Sequence, residues 1–289
     1  MNKLRVFLTL ALFGSATSTA LIAQSQTSTS IPVPEGYTLV WNDEFDVDGA
    51  PNPEIWAHEQ GFVRNSELQW YQSDNAVCRD GYLVIEARRE RKLNTNYQED
   101  ARDWRRNRQY AEYTSSSINT RYSKSWLYGR FEIRARVNGQ LGSWPAIWML
   151  GTSKGWPAGG EIDIMEYYHI DGVPNLLANV AWAGERNTRW DSSNTPLTHF
   201  QAKDARWLSQ FHVWRMDWTK DYIRLYLDDE LLNETDLTQT VNPDGFNPFH
   251  HPQYILLNLA LGGQHGGDPS NSDFPIVYEV DYVRVYQPK

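Results

Sequence analysis

Cysteine is nearly missing from this chain: Cys78 is the only one in 289 residues. No intrachain disulfide is available, and a core drawn from more than 250 residues does not need one. Cys78 falls in an expected strand from Asn75 to Arg79, where a small buried residue is the simpler reading than a reactive thiol. Cations are also scarce, 27 Lys and Arg against 36 Asp and Glu, for a formal charge of −9. Loss of Lys3 and Arg5 with a leader would take it to −11. Such a balance argues against nucleic acid as the main partner. After the first two dozen residues no run is long and apolar enough to span a bilayer. Long amphipathic helices are absent as well, and at most Asp204 to Gln210 makes a turn or two.

The first residues carry the one address. Lys3 and Arg5 precede an apolar stretch from Val6 to Phe13, then small residues with cleavage sites near Ala20 and Ala23. A secretory signal over 1–23 is expected, followed by a flexible leader over 24–34 and one domain over 35–289. The mature protein is then periplasmic or extracellular, and a monomer is expected.

What remains is short, alternating and aromatic. Leu83 to Arg88, Gly129 to Val137, Tyr222 to Leu227, Tyr254 to Leu261 and Tyr278 to Tyr286 read as strands. Turn-rich segments such as Asp80-Gly81, Asn138-Gly139 and Gly262 to Asp268 separate them. An all-β sandwich or jelly roll follows. In Phe131 to Val137 the odd positions face the core, while Glu132, Arg134 and Arg136 face either bulk solvent or a polar cleft. Thirteen Trp and sixteen Tyr, grouped at Trp70-Tyr71, Trp144/Trp148, Trp156, Tyr167-Tyr168, Trp182 and Trp190, suit packing against sugar rings, with part of them filling the core. Arg88 to Arg108 holds eight basic residues against four acids. It reads as a solvated loop or as a contact for an anionic, sulfated polysaccharide.

Glu161, Asp163 and Glu166, in the run Gly-Gly-Glu-Ile-Asp-Ile-Met-Glu-Tyr-Tyr, are the most informative residues. Strand alternation puts Glu161 and Asp163 on one face and Glu166 on the other. One extra residue, a β-bulge, rotates Glu166 back beside them. With Cα atoms roughly 13 Å apart, at the rise of a strand, the two glutamates can bring their carboxylates to the short spacing that retaining glycosidases use. Crowding three acids lifts at least one pKa and keeps a carboxyl protonated near neutrality, as a general acid requires. Glu161 as nucleophile, Glu166 as acid/base and Asp163 as orienter is the economical assignment. A solvated acidic face and a calcium site are the alternatives, the latter weakened by the lack of Gly/Asn/Asp loop chemistry.

Glu-Ile-Asp-Ile-Met-Glu, preceded by Ser143 to Gly151, resembles glycoside hydrolase family 16, in its bulged branch of laminarinases and agarases. Further matching blocks are Trp41 to Phe45, Asn65 to Tyr71, Tyr128 to Glu132, Leu257 to Gly263 and Val280 to Tyr286, so the resemblance covers nearly all of the mature chain. It implies a concanavalin-like β-jelly roll of two antiparallel sheets with a substrate cleft, and retaining double displacement by the three acids. It also implies that Glu132 and Arg134 face the cleft, and that Asn179 and Asn258 offer sugar-contacting amides. Trp144 and Trp148 become cleft walls and Trp156 a platform. Asn65, Trp182 and His265 join the candidate sugar contacts. Relatives carry a structural calcium at positions matched by Gly81 and Asp281, while the chemistry needs no cofactor. The late loop carries Gln264-His265 where many relatives have Trp, and Leu177 to Gly184 stands where laminarinase-like members often show a His-bearing segment. Rim loops set specificity, so the glycan stays open. The expected function is an endo-acting retaining β-glycosidase on β-1,3- or mixed-linkage glucan. β-Galactans of the agar, carrageenan or porphyran type are the alternative, then a non-catalytic lectin on the same scaffold.

Overall fold

In a computed structural model, described here over residues 31–289, the alternating runs pair as strands of two large sheets. The expected signal segment over 1–23, and the leader up to residue 30, lie outside the described residues. The outer sheet runs, in order, Glu230–Asp236, Tyr222–Leu227, His212–Trp218, Gly129–Arg136, Ile276–Pro288, Tyr82–Ala87 and Ala76–Arg79, with Tyr37–Asp43 also paired to Ile276–Pro288. The second sheet runs Thr188–Pro196, Val173–Ala183, Glu161–Ile170, Ser143–Gly151, Gln253–Leu261, Ser117–Asn119 and Ala57–His58. Pairing within both is antiparallel, and one short parallel pair, Gln69–Tyr71 with Tyr113–Ser115, stands apart. Residues Val33 to Lys289 form one compact unit.

One face of each sheet is apolar at every second residue, and these faces pack together. Phe131, Ile133 and Ala135 of the outer sheet share one core with Ile147, Met149, Ile162, Ala178 and Val180 of the other. Burying such faces is the main driving force for a sandwich of this size. Trp56, Trp214 and Trp218 are fully buried in it, so much of the aromatic surplus is core. Cys78 is buried, and burial pushes its thiol up to about 11, which keeps it protonated and unreactive. Among the described residues, helix is confined to Leu197–Gln201 and 3-10 turns such as Trp207–Ser209. The turn expected over Asp204 to Gln210 is thus mostly 3-10, and the α-helical turn precedes it.

The position of the Gly129–Arg136 strand corrects one expectation. Glu132 and Arg134 project from the outer sheet, away from the core and the opposite sheet, because Phe131, Ile133 and Ala135 occupy the inward phase. Glu132 lies across from Arg215 and Arg284, and Arg134 pairs with Asp281. Arg130 bonds Asp217 at 2.6 Å, and Arg136 bonds Glu279. These are cross-strand charge pairs, the sheet counterpart of helix ion pairs.

The same pairing removes the proposed calcium ligand. Asp281 is committed to a guanidinium, which repels a dication, and among the described residues no group of three or more His, Cys, Asp or Glu gathers to hold a metal. Gly81 sits in the left-handed position of the turn before Tyr82–Ala87. As paired with Arg134, Asp281 offers calcium a poor ligand.

The basic segment is likewise spoken for. Arg88 pairs with Glu86, Arg89 bonds the Ser270 carbonyl, and Arg91 pairs with Glu112. Arg105 donates to the Val63 carbonyl and Arg108 to that of Glu67. The segment braces a neighbouring loop; none of its arginines lines the cleft described next.

Candidate active site

Two glycines open the acid strand. A Cβ on Gly151 would lie 1.9 Å from the Gly159 carbonyl, so only glycine lets the two strands approach there. Glu161 then begins the strand opposite Leu150 and Ala181. Across the Val173–Ala183 strand, Asp163 faces Asn179 and Glu166 faces Leu177: three residues advance on one side and two on the other. The same shift recurs against Ser143–Gly151, between Ile147 and Trp148. Ile164 and Met165, consecutive in sequence, are both fully buried in the core. That pair of inward side chains is the bulge, and it turns Glu166 outward.

Glu161, Asp163 and Glu166 consequently line one cleft of about 690 Å³ on the outward face of the second sheet. The Trp144 indole donates to Glu166 Oε1 at 2.9 Å, and the Asn179 amide donates to its Oε2 at 3.0 Å. Burial raises the Glu166 carboxyl to about 7, helped by the Glu161 charge and opposed by those two donors. Burial also raises Glu161, opposed by hydrogen bonds from Trp156 and Asp163 and by the Arg64 charge. Asp163, buried between two glutamates, is pushed far above the carboxylate range by desolvation and by both neighbours. It therefore holds a proton and donates it toward Glu161. One ionised and two protonatable carboxyls in one cleft make an acid/base pair flanked by a nucleophile-type carboxylate.

The other sequence candidates separate sharply. Trp144, Trp148, Trp156, Asn65, Asn179, Asn258 and His265 line the cleft. Trp156 is 56% exposed, a ring open to ligand. His265 stacks on Tyr168 with centroids 4.9 Å apart, and both rings meet Trp144 edge-on. The amides are largely engaged by the protein: Asn258 accepts from the Trp148 indole at 2.7 Å and donates to the Tyr71 hydroxyl at 3.1 Å. Asn65 donates to Glu67. Trp182, by contrast, packs on the core, because it lies three residues after Asn179 and so in the opposite phase. Glu132 and Arg134 belong to the other sheet. Tyr168 and Trp190, two of the aromatics grouped in the sequence, also line the cleft, and Arg64, Glu67, Ser192 and Asn194 do so without having been singled out as contacts. For Ser192 and Asn194 the available signal was alternation within Thr188–Pro196, a strand too polar to stand out.

A family model described as Glycosyl hydrolases family 16 matches residues 65–284. The chain is 37% identical over 270 residues to a beta-glucanase of Rhodothermus marinus, covering 87% of this chain and 85% of that one. A solved structure from work on endo-acting O-glycanases that human gut bacteria express to initiate mucin breakdown superposes with TM-score 0.80 at 34% identity, covering 89% of this chain and 93% of that one. The non-specific endo-beta-1,3(4)-glucanase SCLam gives TM-score 0.71 at 34% identity, covering 90% and 94%.

Proposed function

Since the chain belongs to glycosyl hydrolase family 16 and is a glycoside hydrolase on the jelly-roll fold, we propose that it cuts internal bonds of a β-linked glucan, β-1,3- or mixed-linkage, with retention. The observation that carries this is the bulge that puts Glu166, held near pKa 7, in one cleft with Glu161. Glu161 attacks the anomeric carbon as Glu166 protonates the departing sugar oxygen, which leaves a glycosyl ester on Glu161. The Glu166 carboxylate then takes a proton from water, and that water displaces Glu161 to release a β-anomer. Asp163, protonated between them, donates to Glu161 and orients it. Trp156 lines the cleft with Glu161 and favours its charged form, and Trp144 and Asn179 fix both oxygens of Glu166. These steps need no metal or organic cofactor from the residues described. The beta-glucanase and endo-beta-1,3(4)-glucanase relatives support a glucan substrate.

A second substrate reading has its own support. The O-glycanase structure superposes better than the glucanase, at equal identity, which favours a mucin-type O-glycan chain. Secretion is the accompanying proposal, supported by Lys3, Arg5 and the apolar run Val6 to Phe13; the mass of the exported mature protein checks it. The deciding experiment incubates the enzyme with laminarin, lichenan, agarose, porphyran, carrageenan, arabinogalactan and mucin glycans, sizing products and following the first anomer by proton NMR. Oligosaccharides from laminarin or lichenan, β-anomer first, are expected. Products only from mucin glycans would replace the glucan reading with the second one. An α-anomer first would exclude retention.

A further inference from the structure

Trp148 was expected to offer a face to sugar, yet it is only 7% exposed, because its surroundings use it up. Its indole N–H is bound by Asn258, and the Arg64 guanidinium lies over its ring, 5.0 Å from the centroid. Arg64 is the only Arg or Lys among the cleft-lining residues described. Its Nη2 is held on both carboxylate oxygens of Glu59. Its buried Nη1 has no hydrogen-bond partner among the described residues. An unpaired buried guanidinium N–H is costly and is satisfied when an acceptor arrives.

The backbone that carries Arg64 is fixed from two sides. Asn65 and Ser66 both sit at φ 54°, a left-handed conformation that non-glycine residues resist. Arg105 holds the Val63 carbonyl, Arg108 that of Glu67, and the Gln264 N–H that of Asn65. A rigid, strained loop presenting a stacked guanidinium is a preorganised donor.

We propose that Arg64, rather than Trp148, is the specificity-determining contact on this side of the cleft, donating to a hydroxyl of an uncharged sugar unit next to the one being cleaved. This rests on the hydrolase reading of the same cleft and adds the contact that selects chain over fragment. The unit is the neighbouring one because Trp148 stands on the strand adjacent to the acids, opposite Asp163, and strands lie ~4.8 Å apart, about one pyranose. The sugar is uncharged because the Glu161 carboxylate stands in the same cleft and Glu59 already neutralises Arg64. A sulfate or carboxylate would meet a net negative field.

The test measures kcat/KM for a β-1,3-linked glucose pentamer and for an aryl β-glucoside with a good leaving group, in wild type, Arg64→Met and Arg64→Lys. Methionine keeps an apolar stem on Trp148 and removes every N–H; lysine keeps the charge facing Glu59 and separates loss of charge from loss of the guanidinium. The ratio of pentamer to aryl glucoside should fall about 10- to 100-fold in Arg64→Met, the range for a charged donor, and by less in Arg64→Lys. A ratio unchanged in both variants, with the two substrates losing together, would overturn the proposal and leave Arg64 as support for Glu161 or the fold. A wild-type preference for a sulfated over a matched unsulfated chain, lost in either variant, would overturn the uncharged assignment. Should wild type cut no glucan, the glucan reading fails by itself, and the same ratio is taken on the galactose-based pair that it does cut.

Discussion

The two outward faces of the sandwich carry acids at similar spacing and do opposite things with them. On the outer sheet Glu132 lies between Arg215 and Arg284, Asp217 is bonded by Arg130, Asp281 by Arg134, and Glu279 by Arg136. On the other sheet Glu161, Asp163 and Glu166 have one another, two tryptophans and one asparagine for company, with Arg64 as the nearest cation felt by any of them. Carboxylates paired across strands stabilise a surface. Crowded, desolvated ones keep protons, at a cost in stability, and become chemically useful. Function in this molecule therefore resides where charge is left uncompensated.

The same isosteric change on each face gives the widest separation. Glu161→Gln should lower kcat/KM by at least ~10⁴-fold, in the range seen when a catalytic nucleophile is removed, while Glu132→Gln should leave it within about 2-fold; steady-state kinetics on the identified glycan checks both. A smaller effect is expected from Trp144→Phe, which keeps an aromatic ring and removes the donor on Glu166. That bond favours the charged carboxylate, so its loss should move the alkaline limb of the pH–rate profile above 7, with roughly a 10-fold loss of kcat.

Stability should respond with opposite signs. Arg284 bonds Glu44 at 2.7 and 3.0 Å and lies over the Tyr282 ring. Arg284→Met should cost about 1–3 kcal/mol, the range for a charged hydrogen bond broken at a half-buried site, seen as a lower Tm with unchanged kcat. Glu166→Gln should raise Tm instead. The folded Glu166 titrates near 7 against an ordinary 4.5, so its favourable contribution is full below about 4.5 and vanishes as pH climbs through 7. Glutamine is neutral throughout, and its gain over wild type should be larger at pH 8 than at pH 5. Equal shifts at both would blur the contrast between the faces.

Much of this was readable beforehand. Glu166 stands out of phase with Glu161, and only an inserted residue reconciles that with a shared cleft; the register shift at Ile164 and Met165 is that insertion. The strand from Gly129 illustrates the limit. Alternation establishes that Glu132 and Arg134 point away from the core, but an outward face of either sheet looks identical in sequence, and only long-range pairing assigns the sheet. Trp182 was legible and misplaced, since counting three positions from Asn179 already sends it inward. Trp148 lines the cleft in the expected phase, but side chains from distant segments, Asn258 and Arg64, cover its edge and face. Those two come from positions 194 residues apart, and no local pattern joins them.

The measurement closest to the central claim is the pH dependence of kcat/KM from pH 4 to 9 in wild type beside Glu166→Gln, with azide added to rescue the variant. A fall in wild-type activity with a midpoint near 7, absent from the rescued variant, is the predicted result. An alkaline limb that persists unchanged after Glu166 is replaced, or a wild-type profile flat to pH 9, would show that the bulged glutamate is not the proton donor.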